Sequence, residues 1–288
     1  MSLNIACKGY SGSAKIFGHS IPLTSYNYNQ SYNYIHSSGI QKLYNDNKFT
    51  NYKKDYVIDF PLKKLDISFD AVENVIKKTI KHIEDNKNKT TNISATFDDD
   101  IYNIDIAPEI TRLSSFSLSV SENSLASASL GFLILDEEIE LDISDFSKKR
   151  GASVPSWLGD EDLMPYYGFN VDFADFDEDS VVGFDFSWSQ AGKPIYECCG
   201  NTNKNALAPA YYIWSIPEST INVSYFVGGD DFDHKNADFE TNLTIKYDSN
   251  TLIKSKKVLV ESITPKLGNS SSYVSFDVSG IIMEKITG

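Results

Sequence analysis

The chain has 288 residues, 41% apolar and 13% aromatic, enough to bury a sizeable core in one large domain or two smaller ones. It carries 26 Lys+Arg against 40 Asp+Glu, a formal charge of −14 at pH 7, and no apolar run long enough to span a bilayer. That balance argues against a nucleic-acid or anionic-membrane binder, because gripping phosphates takes clustered cations.

The opening MSLNIACKGYSGSAKIFGHS lacks the basic flank and apolar core of a secretory signal, which predicts synthesis in the cytoplasm. In YNYNQSYNYIH (26–36), Tyr26, Tyr28, Tyr32 and Tyr34 share one strand parity, an aromatic stripe that is buried or faces another subunit. Residues 37–56 read as a long loop. Val72, Ile76, Ile80 and Ile83 then step at helical spacing and predict one amphipathic helix over 70–84, with Asp70 and Glu73 as a capping box. Lys77, Lys78 and Lys81 fall off the apolar stripe and form a solvated face toward the carboxyl end, where the helix dipole favours cations.

Strand alternation dominates the rest. It is visible in SFSLSVS (115–121), FDFSWS (184–189), INVSYFV (221–227), NLTIKYD (242–248) and YVSFDVSGIIM (273–283). Clusters such as YNDNK, EDNKNK and FVGGDDFD punctuate these runs as turns. From Asp136 to Phe169 charge runs, Gly and Pro gather, and 136–165 reads as a linker or one long loop. Residues 112–132 and 181–201 share a loose grammar of alternating strand, short turn and second run closed by Gly. The fold class is mainly β: an antiparallel sandwich or barrel with one flanking amphipathic helix. Two organisations fit, tandem β-rich domains over 1–150 and 151–288, or a single domain with a long insertion.

Charge divides unevenly. Residues 1–94 hold 13 Lys+Arg against 8 Asp+Glu, residues 95–250 hold 8 against 29, and residues 251–288 hold 5 against 3. The acidic middle is either a solubilising surface or the wall of a channel to which DNA does not stick.

Chemistry is sparse. Cys7 stands alone and Cys198 and Cys199 are adjacent, so there is neither a disulfide framework nor a CxxC zinc pair. His19, His36, His82 and His234 show no metal-ligand spacing. No nucleophile elbow, P-loop or dinucleotide fingerprint occurs, and Arg112 and Arg150 are the only arginines. Carboxylates are the one abundant resource: Asp98-Asp99-Asp100, the group Asp172, Asp175, Asp177 and Asp179, and Asp230-Asp231 with Asp233. Asp175, Asp177 and Asp179 have the D-x-D-x-D spacing of a calcium loop, but no Gly follows and Phe186 stands where a bidentate Glu belongs. Loop acids that stay wet are the simpler account, so no enzyme, no cofactor and no metal are expected.

Two stretches carry a resemblance. GYSGSAKIFGHSIPLTSYNYNQSYNYIHSSGI (9–40) resembles the start of phage tail tube and related tail structural proteins, with a Gly-containing strand, "IP", an alternating strand and a Ser-Gly turn. GFDFSWSQAGKPIYECCGNTNKNALAPAYYIWSIPESTINVSYFV (183–227) resembles a second recurrent stretch, in which an alternating strand leads to Pro-x-Tyr, a Gly turn and a wall strand. The resemblance covers about half the chain as strand grammar. It implies a sandwich or barrel-like sheet with one flanking helix, copies closing into rings, rings stacking into a tube, and an acidic lumen that DNA traverses unbound.

On that reading the candidate lumen acids are Asp98, Asp99, Asp100, Asp136, Glu137 and Glu138, and loops 37–56 and 136–165 are arms to the next ring. Its partners are copies of itself, as a hexamer or a pseudo-hexameric trimer, and other tail proteins. Its place is the virion tail, assembled in a bacterial cytoplasm, with no membrane partner. The chain is longer than a simple tube subunit, which fits two tandem folds or one with an insertion, and hub and adaptor proteins share the pattern. A competing reading is a β-sandwich module for glycans or calcium, using some of the 17 Tyr and 3 Trp as stacking platforms.

Overall fold

The computed structural model describes residues 3–6, 12–31, 34–42, 49–57, 62–85, 93–98, 103–106, 111–134, 163–174, 180–195, 211–227, 239–267 and 274–288. Seven strands precede the helix: β1 (Leu3–Ala6), β2 (Gly12–Ile16), β3 (His19–Pro22), β4 (Ser25–Ser31), β5 (Tyr34–Lys42), β6 (Phe49–Val57) and β7 (Leu62–Asp70). The helix α1 covers Glu73–Glu84. Next come β8 (Ile93–Asp98), β9 (Asn103–Ile106), β10 (Thr111–Ser121), β11 (Ser127–Ile134) and β12 (Phe169–Phe173). The remaining strands are β13 (Val181–Ser189), β14 (Gly192–Ile195), β15 (Tyr211–Trp214), β16 (Glu218–Val227), β17 (Glu240–Tyr247), β18 (Asn250–Leu267) and β19 (Val274–Ile282). The protein is mainly β with one helix among the described residues, as its alternation and single helical stripe predict.

One eleven-stranded sheet organises the molecule, in the order β1-β4-β7-β11-β10-β13-β16-β19-β18-β17-β12. Every ladder in it is antiparallel. The β10–β13 ladder stands near its middle, so strands from both sides of residue 150 share one sheet. A four-stranded sheet, β3-β2-β8-β9, and two ribbons, β5-β6 and β14-β15, stand apart from these ladders. The five alternating segments read from the sequence fall on β10, β13, β16, β17 and β19, with Asp248 in the turn after β17 and Met283 just past β19.

The sheet curls at one end. β12 stands at the end of the sheet in a ladder with β17, yet the Phe169 ring meets Phe184 of β13 edge-on at 5.4 Å, and Tyr225 of β16 donates to the Phe173 carbonyl. Gly280 of β19 permits this approach: a Cβ there would lie 3.0 Å from Phe173 Cζ and 2.8 Å from Val258 Cγ1. β17 turns into β18 through Asp248 and Ser249, both left-handed at φ 45° and 71°, which matches the twist a two-residue hairpin needs.

The helix buries Val75, Ile76, Thr79, Ile80 and Ile83, and the Thr79 hydroxyl donates back to the Val75 carbonyl at 2.8 Å. Its start corrects the expected capping box. The N-cap is Val72 with no side-chain cap, because Asp70 remains in the β7 ladder opposite Ser127 and Val72 bridges Leu163. Burying each aliphatic side chain is worth about 1.5–3 kcal/mol, whereas a lost cap costs about 1 kcal/mol, so packing decides where the helix begins. Around it, Lys78 Nζ donates to the Phe17 carbonyl at 3.1 Å and lies 2.8 Å from His19 Nε2, and the Phe17 ring meets His82 at 5.5 Å.

Two further expectations change. Of the expected loop 37–56, residues 37–42 and 49–56 are strand in the β5–β6 ribbon, with Tyr34 opposite Val57 and Lys42 opposite Phe49, and 43–48 lie outside the described residues. The tyrosine stripe is also broken: β4, with Tyr26 buried at 7% exposure, ends at Ser31, whereas Tyr34 opens a strand of a different sheet. Tyr32 lies outside the described residues. The two segments with shared grammar fold differently. β10 turns back to pair with β11, but β13 hands over to β14, which pairs with β15. Most of 136–165 lies outside the described residues.

Candidate assembly surface

Period-two alternation gives the large sheet two unlike faces. Over its central part the buried apolar residues on β7 include Leu65, Ile67 and Phe69, on β10 Phe116, Leu118 and Val120, and on β13 Phe184, Phe186 and Trp188. On β16 they are Ile221, Val223 and Tyr225. The intervening residues, nearly all Ser, Thr, Asn, Asp, Glu or Gly, occupy the other face.

Register turns that parity into rows. One row runs Ser25, Ser68, Ser129, Ser117, Ser187 and Thr220, each opposite the next across β4, β7, β11, β10, β13 and β16. A second runs Asp70, Ser127, Ser119, Asp185, Asn222, Ser279 and Ser262, from β7 to β18. A third runs Asn27, Asp66, Gly131, Ser115, Ser189 and Glu218. The fourth is Ser121, Gly183, Ser224, Asp277 and Thr264.

Directly opposed residues have Cβ atoms about 5 Å apart, within reach of hydroxyl hydrogen bonds. Ser68 Oγ and Ser129 Oγ lie 2.9 Å apart, Ser187 Oγ and Thr220 Oγ1 2.7 Å, and Ser262 Oγ and Ser279 Oγ 2.7 Å. Ser224 donates to Asp277 Oδ1 at 2.8 Å, Ser119 donates to Asp185, and Lys266 pairs with Asp277. Gly131 leaves room inside its row, since a Cβ would fall 2.2 Å from Ser115 Oγ and 2.8 Å from Asp66 Oδ1.

The result is a low-relief, partly exposed polar surface. Its rows contain five acids, Asp66, Asp70, Asp185, Glu218 and Asp277, and no Lys or Arg. Lys64 and Lys266 sit at its margins. Such a surface wets readily and offers no cationic grip on phosphate. The chain matches no protein-family model and no curated protein.

The acids singled out from the sequence do not build this face. Asp98 ends β8 in the small sheet, opposite Asn103. Asp99, Asp100, Asp136, Glu137, Glu138, Asp175, Asp177 and Asp179 lie outside the described residues, as do Asp230, Asp231 and Asp233. Asp172 is exposed on β12. Among the described residues no three His, Cys, Asp or Glu side chains converge on a metal-sized site, and no helix is long and apolar enough to cross a membrane.

The acids that do share the face were missed because they come singly. Each follows or precedes an apolar residue within an alternating run: LDISFD for Asp66 and Asp70, FDFSWS for Asp185, VSFDVS for Asp277. The signal was the company they keep, small hydroxyl residues at the same parity, and not a carboxylate cluster.

Proposed function

We propose that this chain is a structural subunit of a phage-type tail, without enzymatic activity. Copies close into rings, as a hexamer or a pseudo-hexameric trimer, and rings stack into a tube alongside other tail proteins. The hydroxyl and carboxylate face lines the lumen, where DNA passes without specific binding. The single observation that carries this reading is the set of four polar rows, which extends over as many as seven neighbouring strands with no Lys or Arg at any row position. A hub or adaptor of the same fold would use the face in the same way. Negative-stain microscopy of purified protein, alone and with tail partners from its source, tests the proposal. Rings or tubes with a stain-filled channel are expected, and a strict monomer under both conditions overturns it.

One feature favours the second reading, a glycan-binding module. Tyr167 is 78% exposed and stands edge-on to Tyr166 at 5.7 Å, the kind of aromatic pair on which a sugar ring can stack. A glycan array separates the two readings: saturable binding that Tyr167→Ala abolishes supports the module, and an empty array removes it.

A further inference from the structure

At the end of the sheet where β10 begins, Arg112 is only 5% exposed. Its Cζ lies 3.4 Å from the centroid of the Trp214 ring on β15, and Nη2 donates to Gln190 Oε1 at 3.2 Å. Gln190 extends the connection, its Nε2 donating to the Ser215 carbonyl at 2.8 Å. Ser215 in turn accepts from the Ala191 N–H through Oγ at 3.0 Å and donates its own N–H to the Ala191 carbonyl at 2.8 Å.

These bonds close the base of the β14–β15 ribbon, which among the described residues shares no ladder with the main sheet. Gly192, opposite Trp214, makes room for the ring, since a Cβ there would lie 2.6 Å from it. Burial pulls the Arg112 guanidinium down to about 10, still charged at neutral pH, and the aromatic face and the Gln190 amide are among the groups that serve it in place of water. The root of the same ribbon walls a groove of about 370 Å³, in which Ile216 and Pro217 stand near Trp188, Ile282, Met283 and Ile286. Ile216 is 86% exposed, so that wall has little packing of its own.

We infer that the β14–β15 ribbon is a strap beside this groove and that Arg112 is its clasp. Breaking the stack on Trp214 lets the ribbon swing about Gln190–Ala191 and Ser215–Pro217 and widens the groove. A desolvated cation–π stack corresponds to roughly thirtyfold in the open population, against a ribbon of two four-residue strands that is marginal alone. The clasp belongs to one chain and operates whether or not copies assemble.

Hydrogen–deuterium exchange of the full chain, read by mass spectrometry, tests it. In Arg112→Met, peptides covering 191–195 and 211–216 exchange at least about tenfold faster, while those covering the centres of β10 and β13 keep wild-type rates. Trp214→Leu, which removes the stack from the other side, gives the same pattern, and Arg112→Lys, which keeps the charge without the planar stack, falls between. Unchanged ribbon exchange in these variants overturns the inference. So does an equal rise across the whole sheet, which makes Arg112 ordinary core support. If Arg112→Met fails to fold, the Lys and Leu variants decide.

Discussion

The Tyr225 hydroxyl on β16 donates to the Phe173 carbonyl on β12 at 2.8 Å, although the two strands are four ladders apart in the sheet. Both residues are fully buried, so this bond ties the free edge of the sheet back over its own interior. Tyr225 also stacks on Phe276 of β19 at 5.2 Å. Tyr225→Phe keeps the ring and removes only the donor. It is expected to lower stability by about 1 kcal/mol, read from urea unfolding followed by circular dichroism.

Alkali probes the same region. Burial, with the Asp172 charge adding to it, holds the Tyr225 hydroxyl well above the ordinary tyrosine range, and burial raises Tyr212 as well. A folded value above the unfolded one means that stability is whole below about pH 10 and is lost as pH rises through the folded value, by up to about 1.4 kcal/mol per pH unit for each group. Arg112, held down to about 10, works in the opposite sense, because its burial penalty is relieved as it loses its proton. Urea melts between about pH 9 and pH 11 should therefore show a shallower loss in Tyr225→Phe and a steeper one in Arg112→Met than in wild type.

Gly183 sits at the irregularity where β13 meets β16, and a Cβ there would lie 2.6 Å from the Val120 carbonyl oxygen. That neighbour is backbone and cannot rotate away. Gly183→Ala is expected to cost about 1–3 kcal/mol by thermal or urea unfolding, although the new side chain is a single methyl group.

On the helix, Ile80 is fully buried, whereas Lys77 forms a partly exposed pair with Glu73 one turn earlier. Ile80→Ala is expected to cost about 2–5 kcal/mol and Lys77→Ala no more than about 0.5 kcal/mol. Equal losses in a denaturation series would contradict the assigned burial.

If the polar face lines a lumen, reversing its charge should make DNA stick. Asp66 and Asp185 are both exposed, so the double change Asp66→Lys with Asp185→Lys should lower stability by no more than about 2 kcal/mol. Assembled particles of the variant are expected to retard duplex DNA in a gel at low salt and release it as salt rises, while wild-type particles do neither. Retention by wild-type particles would contradict a non-binding lumen.

Much of this architecture was legible residue by residue. SFSLSVS, FDFSWS and INVSYFV announce strands because alternation needs only neighbours two apart, and the stripe from Val72 to Ile83 announces the helix by the same local logic. The polar face was half legible, since the hydroxyl residues were visible but not the rows they form. Ser68 and Ser129 are 61 positions apart, and nothing in either local pattern states that they meet. Carboxylate clustering therefore points to Asp98–Asp100 and Asp136–Glu138, while Asp66, Asp185 and Asp277 stand singly in their strands.

By itself the sequence determined the mainly β class, the amphipathic helix and which residues of strands such as β10, β13 and β16 turn inward, because side-chain parity and helical spacing are properties of a short stretch of chain. Tertiary structure alone decided the register that aligns the rows, the curl that brings Phe173 to Tyr225, and the stacking of Arg112 on Trp214. It also decided that Asp70 belongs to a ladder and not to a cap, and that residues 37–42 and 49–56 pair as a ribbon. Each of those outcomes depends on which distant strand arrives alongside, and that is settled by the packing energy of the whole sheet and not by any local preference.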